Sequence, residues 1–200
     1  MKKLLLTGFG PFLTNDRNPT SDIVQKLDGS KLGQYEVYGE ILPVEFGRSA
    51  DKLKEVIDDI QPDAIILLGL ASGRSAITPE RIAINCNDGG QADNAGYIPQ
   101  GEAIVKDGPD GLFTSLPVHD MVEAMKAANI PARLSNSAGT YVCNHVMYEA
   151  LYHHKQKGVN TPTGFIHVPA NYELALSKNI PSMAQDDIEK AIKICIQTLT

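Results

Sequence analysis

The run "DAIILLGL", residues 63–70, constrains this chain most. From Ala64 to Leu68 it is unbroken apolar and of strand length, with no polar residue on alternate positions. Such a run reads as a strand buried on both faces, and a strand of that kind belongs in a parallel sheet covered by helices. "KKLLLTGFG" and "TGFIHVP" read as further buried strands, and "YEVYGEIL" as an alternating one. Between them lie segments of helical spacing. "NPTSDIVQKL" opens with Asn18 as a cap and Pro19 in the first turn. "GRSADKLKEVIDDI" sets Ala50, Leu53, Val56, Ile57 and Ile60 on one face. "VHDMVEAMKAA", Tyr141 to Lys157 (stopped by Gly158) and Gln185 to Leu199 complete the helices. "ERIAINC" is expected as another strand, "ARLSNS" as a strand or strand end, and residues 87–100 as a long loop. Strands alternating with helices give an α/β layered fold around a largely parallel sheet, with sites at the carboxyl ends of strands.

The chain has 200 residues and no internal repeat, so residues 1–200 are expected to form one domain. A net charge of -6 without a basic stripe argues against general nucleic-acid binding. The N-terminal apolar run, Leu4 to Leu6, is too short for a signal peptide, and no run approaches a membrane span. A cytoplasmic location is the expectation. Three widely spaced cysteines, Cys86, Cys143 and Cys195, fit neither a disulfide framework nor a zinc site. "GFGPF" carries neither phosphate-binding glycine motif.

Chemistry enters at "SNSAGTYVCNH". A strand end near Ser135, a glycine turn at Gly139 and a cap at Thr140 would put Cys143 in the first turn of a helix. Free backbone N–H groups and the helix dipole favour a thiolate there and can receive an oxyanion. Cys143 also shares a stripe with Met147, Ala150, Leu151 and His154. On spacing alone, the core reading is the commoner one for such a cysteine. A nucleophile needs a base, and His167 stands near the end of the last strand. His145, two positions from Cys143 on the same helix, cannot face it. Glu80, Asp88 and Asp93 are the candidates for a third group that orients the imidazole. Arg74, after the apolar strand, is suited to a substrate carbonyl or a loop carboxylate.

Seven segments in order carry a resemblance: "LLTGFGPF", "NPT", "LPVEF", "GLASGR", "PERIAIN", "SAGTYVCN" and "FIHVP". The chain resembles the pyroglutamyl peptidase type I family, also called pyrrolidone carboxyl peptidases, which are cytosolic cysteine exopeptidases. The resemblance implies an α/β/α sandwich shared with nucleoside phosphorylases, a homotetramer or another homo-oligomer, and no metal or organic cofactor. It implies a triad of Glu80, Cys143 and His167, and removal of an N-terminal pyroglutamyl residue from peptides through a thioester. Phe9 and Phe12 are expected against the flat lactam ring, with Asn18, Arg74 and Val142 as further substrate contacts. Two stretches depart from the family pattern. "DGGQADNAG" keeps Asp93 and Asn94 but lacks an arginine, and "VPANYE" lacks a larger residue after the proline. The rival readings are a nucleoside phosphorylase or hydrolase, and a binding protein with a vestigial site.

Overall fold

The structure is a computed structural model that describes residues 1–12 and 17–199. The chain runs β1 (Lys2–Phe9), α1 (Pro19–Leu27), β2 (Lys31–Leu32), β3 (Tyr35–Leu42), α2 (Phe46–Ile60) and β4 (Ala64–Leu70). Short strands follow: β5 (Thr78–Pro79), β6 (Ile82–Ile84), β7 (Asn87–Asp88), β8 (Gln100–Glu102) and β9 (Gly111–Phe113). Then come α3 (Val118–Ala127), α4 (Val142–Lys157), β10 (Thr163–Val168), β11 (Ala170–Asn171), α5 (Tyr172–Ala175), β12 (Ser182–Met183) and α6 (Gln185–Gln197).

The main sheet has the order β2-β3-β1-β4-β10-β5. Strands β3, β1, β4 and β10 are parallel, and the edge strands β2 and β5 run antiparallel to their neighbours. The period of two along each strand sorts its side chains into two cores. Leu4, Leu6, Ile66, Leu68, Ile166 and Val168 face helices α1, α3 and α6. Leu5, Ile65, Leu67 and Phe165 face α2 and α4. The result is a three-layer α/β/α sandwich. The same parity puts Phe9, Gly69 and His167 on the α2/α4 side.

Asn18 caps α1, its side chain accepting a hydrogen bond from the Thr20 N–H. Helix α4 ends at Gly158, which is left-handed at φ 65°. Its start lies one residue later than the sequence suggests. Tyr141 is the N-cap, while the Thr140 hydroxyl instead donates to the Asp88 carbonyl.

The strand expected in "ERIAINC" is present but shorter: Ile82–Ile84 forms β6 and pairs with Gly111–Phe113. The preceding Thr78 and Pro79 pair with the edge of β10, and Pro79, with no N–H to offer, ends that short ladder. One expectation is corrected. Residues 87–100 are not simply a loop, because Asn87–Asp88 pairs with Gln100–Glu102. Buried Asp93 fixes the chain between them. Its carboxylate accepts hydrogen bonds from the Ala95 and Tyr97 N–H groups, and from the Phe46 N–H at the start of α2. "ARLSNS" contributes only two isolated bridges, Ala132 to Ile77 and Ser135 to Glu80.

Candidate active site

A cavity of about 420 Å³ opens where β1, β4 and β10 end, a size that suits a small ligand. Phe9, Phe12, Asn18, Tyr141, Cys143 and His167 line it. Phe12 and Tyr141 lie with ring centroids 5.5 Å apart, and the Tyr141 hydroxyl donates to the Ala92 carbonyl at 2.9 Å. This wall is held by the segment between β3 and α2 and by the loop around Asp93. The Asn94 N–H donates to the Val44 carbonyl, and the Asn94 side chain donates to the Pro11 carbonyl.

Cys143 is the second residue of α4. The turn before it needs Gly139, which has φ 79°. Asn144, fully buried, staples this helix end to β6. Its side chain accepts from the Ile84 N–H and donates to the Ile84 and Cys86 carbonyls. The thiol needs room over the sheet, and Gly69 supplies it. A Cβ on Gly69 would stand 2.8 Å from Cys143 Sγ and 2.6 Å from the Phe165 ring. His167 leaves β10 from the position paired with Gly69. Paired residues on neighbouring strands lie about 4.8 Å apart and point to one face. The sheet therefore presents the imidazole beside the thiol, inside one cavity.

His167 is 5% exposed, and its Nδ1 lies 2.7 Å from Glu80 Oε1. Glu80 is fully buried, fixed by its backbone N–H on the Phe165 carbonyl and by the bridge to Ser135. Burial works to raise its carboxyl. His167, Ser135 and Arg74 together outweigh this and hold it below the usual carboxylate range. An ionised Glu80 only accepts hydrogen bonds, so His167 Nδ1 carries the proton and donates it. The Nε2 lone pair is then left for the cavity.

Burial pushes the Cys143 thiol up to about 12. The Glu80 charge adds to this, while Arg74 and the Cys143 backbone N–H oppose it. Burial also lowers His167 below the ordinary imidazole value, against the pull of Glu80. A helix terminus is worth about 0.3–1 kcal/mol, which is less than one pKa unit at about 1.4 kcal/mol each. The helix start therefore does not cancel the burial of Cys143. Burial of both groups thus works against the thiolate–imidazolium form that the helix position favours.

The remaining sequence candidates divide. Phe9, Phe12 and Asn18 line the cavity. Asn18 also works as the cap of α1 and donates to the Gly10 carbonyl at 3.3 Å. Val142 does not line it: at 1% exposure its side chain sits in the core under α4. Arg74 is not among the lining residues either. Its guanidinium is bound to Glu80 at 2.6 Å, to Thr78 at 2.5 Å and to the Ser137 carbonyl at 3.2 Å. Of the two uses considered for it, the geometry shows the loop carboxylate. Glu80 thus pairs with Arg74 as well as with His167. Asp88 is exposed, and Asp93 serves the loop and the start of α2. Sequence reasoning missed Gly69, Tyr141 and Asn144, and also Arg17 and Lys178, which line the cavity and are exposed. Asn144 could have been noticed as a polar residue in the first turn of an apolar helix.

The fold and site together define a thiol peptidase arrangement, and comparison with known proteins says which kind. The chain matches the pyroglutamyl peptidase family over residues 2–200. The pyrrolidone-carboxylate peptidase of Oceanobacillus iheyensis is 57% identical over 199 residues, covering 100% of both chains. That of Pyrococcus furiosus is 42% identical, with 98% of this chain and 96% of the relative covered. The crystal structure of Bacillus amyloliquefaciens pyroglutamyl peptidase I superposes with a TM-score of 0.95 at 42% identity, covering 99% of this chain and 96% of that one. The chain belongs to the pyroglutamyl peptidase family.

Proposed function

We propose that this chain is a cysteine exopeptidase that hydrolyses the bond after an N-terminal pyroglutamyl residue, with Cys143, His167 and Glu80 as its working groups. The observation that carries the reading is the buried His167–Glu80 hydrogen bond at the wall of the cavity that also holds Cys143. The lactam is flat and uncharged, and the aromatic lining of Phe9, Phe12 and Tyr141 suits it.

In the reaction, His167 Nε2 takes the Cys143 proton as Sγ attacks the pyroglutamyl carbonyl. The imidazolium forms beside the Glu80 carboxylate, which stabilises it. First-turn N–H groups of α4, which an α-helix leaves without internal partners, receive the oxyanion. The tetrahedral adduct collapses as His167 gives its proton to the leaving amine, and a thioester remains. Water then attacks the thioester with His167 again as base, releasing pyroglutamate and the thiol. Neither a metal nor an organic cofactor enters these steps.

Peptides with an N-terminal pyroglutamate are the substrates. A homotetramer is consistent with the exposed apolar side chains Ile84, Tyr97, Ile98 and Phe113. The three free cysteines suit a reducing compartment, which supports the cytoplasm.

The test is release of a fluorophore from its pyroglutamyl amide, with the prolyl amide as control, before and after iodoacetamide. Cleavage of the pyroglutamyl amide alone, lost on alkylation, is expected. A folded, reduced sample that cleaves neither amide overturns the reading.

A further inference from the structure

Two side chains converge on one buried oxygen. Glu80 Oε1 accepts from His167 Nδ1 at 2.7 Å and from Arg74 Nη1 at 2.6 Å. The second oxygen, Oε2, is buried with no hydrogen-bond partner among the described residues. The carboxylate is therefore oriented from one side, and two of the hands on it are His167 and Arg74. Arg74 is itself anchored at two further points, on the Thr78 hydroxyl and on the Ser137 carbonyl. Thr78 is the residue paired with His167 across β5 and β10, and its hydroxyl donates to the His167 carbonyl at 3.3 Å. Ser137 lies on the segment leading to Cys143. The guanidinium thus ties the acid to the strand of the base and to the approach of the nucleophile. It is 26% exposed while Glu80 is sealed, so it enters from solvent and reaches inward.

We propose that Arg74 is a positioning residue: it grips the Glu80 oxygen that His167 also uses, and through it sets the aim and the proton of the imidazole without touching substrate. This rests on the peptidase reading above only for its kinetic consequences. The charged and titratable groups facing His167 are Glu80, Arg74 and Cys143, with Arg17 and Lys178 on the same cavity. Glu80 favours the imidazolium and Arg74 opposes it. Burial lowers His167 most, Glu80 opposes it, and without Arg74 the ring would hold its proton to higher pH. Arg74 adds to His167 and Ser135 in keeping the carboxylate ionised, and it moderates the effect of that charge on the ring.

The experiment compares Arg74→Met and Arg74→Lys with the unchanged chain. Two quantities are measured: kcat and KM for a pyroglutamyl amide across pH, and the His167 ring titration by NMR without substrate. Arg74→Met is expected to lower kcat by roughly 10- to 100-fold through misaimed groups, with KM within about twofold. The acid limb of kcat/KM and the His167 titration should both move to higher pH, because a cation is lost from beside the ring. Arg74→Lys keeps the charge without the fork, so it should restore the titration more fully than kcat. A rise in KM with kcat and the titration unchanged would assign Arg74 to substrate and overturn the proposal. An unshifted titration in a folded variant would overturn it too. If Arg74→Met does not fold, the Lys variant decides: its titration must stay near that of the unchanged chain while kcat falls. A chain that cleaves no pyroglutamyl amide refutes the functional reading, yet the ring titration still tests the Arg74 proposal.

Discussion

His145 and His167 are buried to nearly the same extent, at 6% and 5% exposure, and both are held below the ordinary imidazole value. Their surroundings differ. His145 meets the side chain of Asn87 at 3.1 Å and the edge of Phe46, and its Nε2 has no partner among the described residues. Burial, followed by the charge of Lys54, takes it down to about 4. His167 has a carboxylate instead of an amide, and it faces a cavity. Burial alone makes an imidazole inert. An anionic partner restores its affinity for a proton, and an opening gives that proton somewhere to go.

The largest expected effects would break this contrast outright. Cys143→Ser should lower kcat/KM by about 10⁴-fold or more, and His167→Asn by at least about 10²-fold. His145→Asn should stay within about threefold, since it reaches neither cavity nor thiol. Steady-state kinetics on the pyroglutamyl amide measure all three, and equal losses at the two histidines would erase the distinction.

The pH dependence sharpens it. His167 must be neutral to act, and its value lies below 6.5. The acid limb of kcat/KM is therefore expected below 6.5, with a plateau through neutrality. Because the resting thiol lies up at about 12, iodoacetamide should alkylate Cys143 about tenfold faster per pH unit between 7 and 9. Alkylation that is fast and independent of pH would instead reveal a preformed thiolate–imidazolium pair.

A smaller effect concerns stability. The unfolded chain binds a proton at His145 near 6.5, while the folded chain does so only near 4. Stability is then insensitive to this group above 6.5 and falls as the pH drops from there toward 4. His145→Gln should recover on the order of 2 kcal/mol of the loss between pH 7 and 4.5. Urea unfolding at the two pH values measures it. His154, also lowered, adds to the same slope, so the variant flattens the slope without abolishing it.

The smallest effect lies at the outer cavity. Arg17 and Lys178 are exposed there, with Arg17 sharing its charge with Glu173 at 3.2 Å. Peptides with an acidic residue after the pyroglutamyl group should be favoured by about threefold over basic ones, and salt should abolish the preference. Competition between two such peptides, with Lys178→Glu reversing the order, is the check.

The long elements were readable because their signals are local. The apolar run of β4, the spacing of α2 and the glycine stop of α4 each declare one structure without help from the rest of the chain. Of the short strands only β6 was legible, in "ERIAINC"; β5 and β7 to β9 were not, because Pro79 and the Asp93 cap are resolved only by what they meet across the fold. The site shows the same division. Parity along β10 is enough to put His167 on the face of Phe165. No local rule says that Arg74 turns to Glu80, that Val142 goes under α4, or that Gly69 is empty so that a thiol can lie above it. The resemblance supplied Glu80 as the third group, where spacing alone left it level with Asp88 and Asp93.

The place of β10 in the sheet has one consequence in time. It lies between β4 and β5, yet it is made almost a hundred residues after β4 by the order of the chain. Until Thr163–Val168 inserts, the central sheet has a gap, and Glu80 has no imidazole to hold. The first three-quarters of this sequence hold the acid and the nucleophile without the base. Peptidase activity should therefore appear only after the last strand has closed the sheet, which makes catalysis itself a late reporter of assembly.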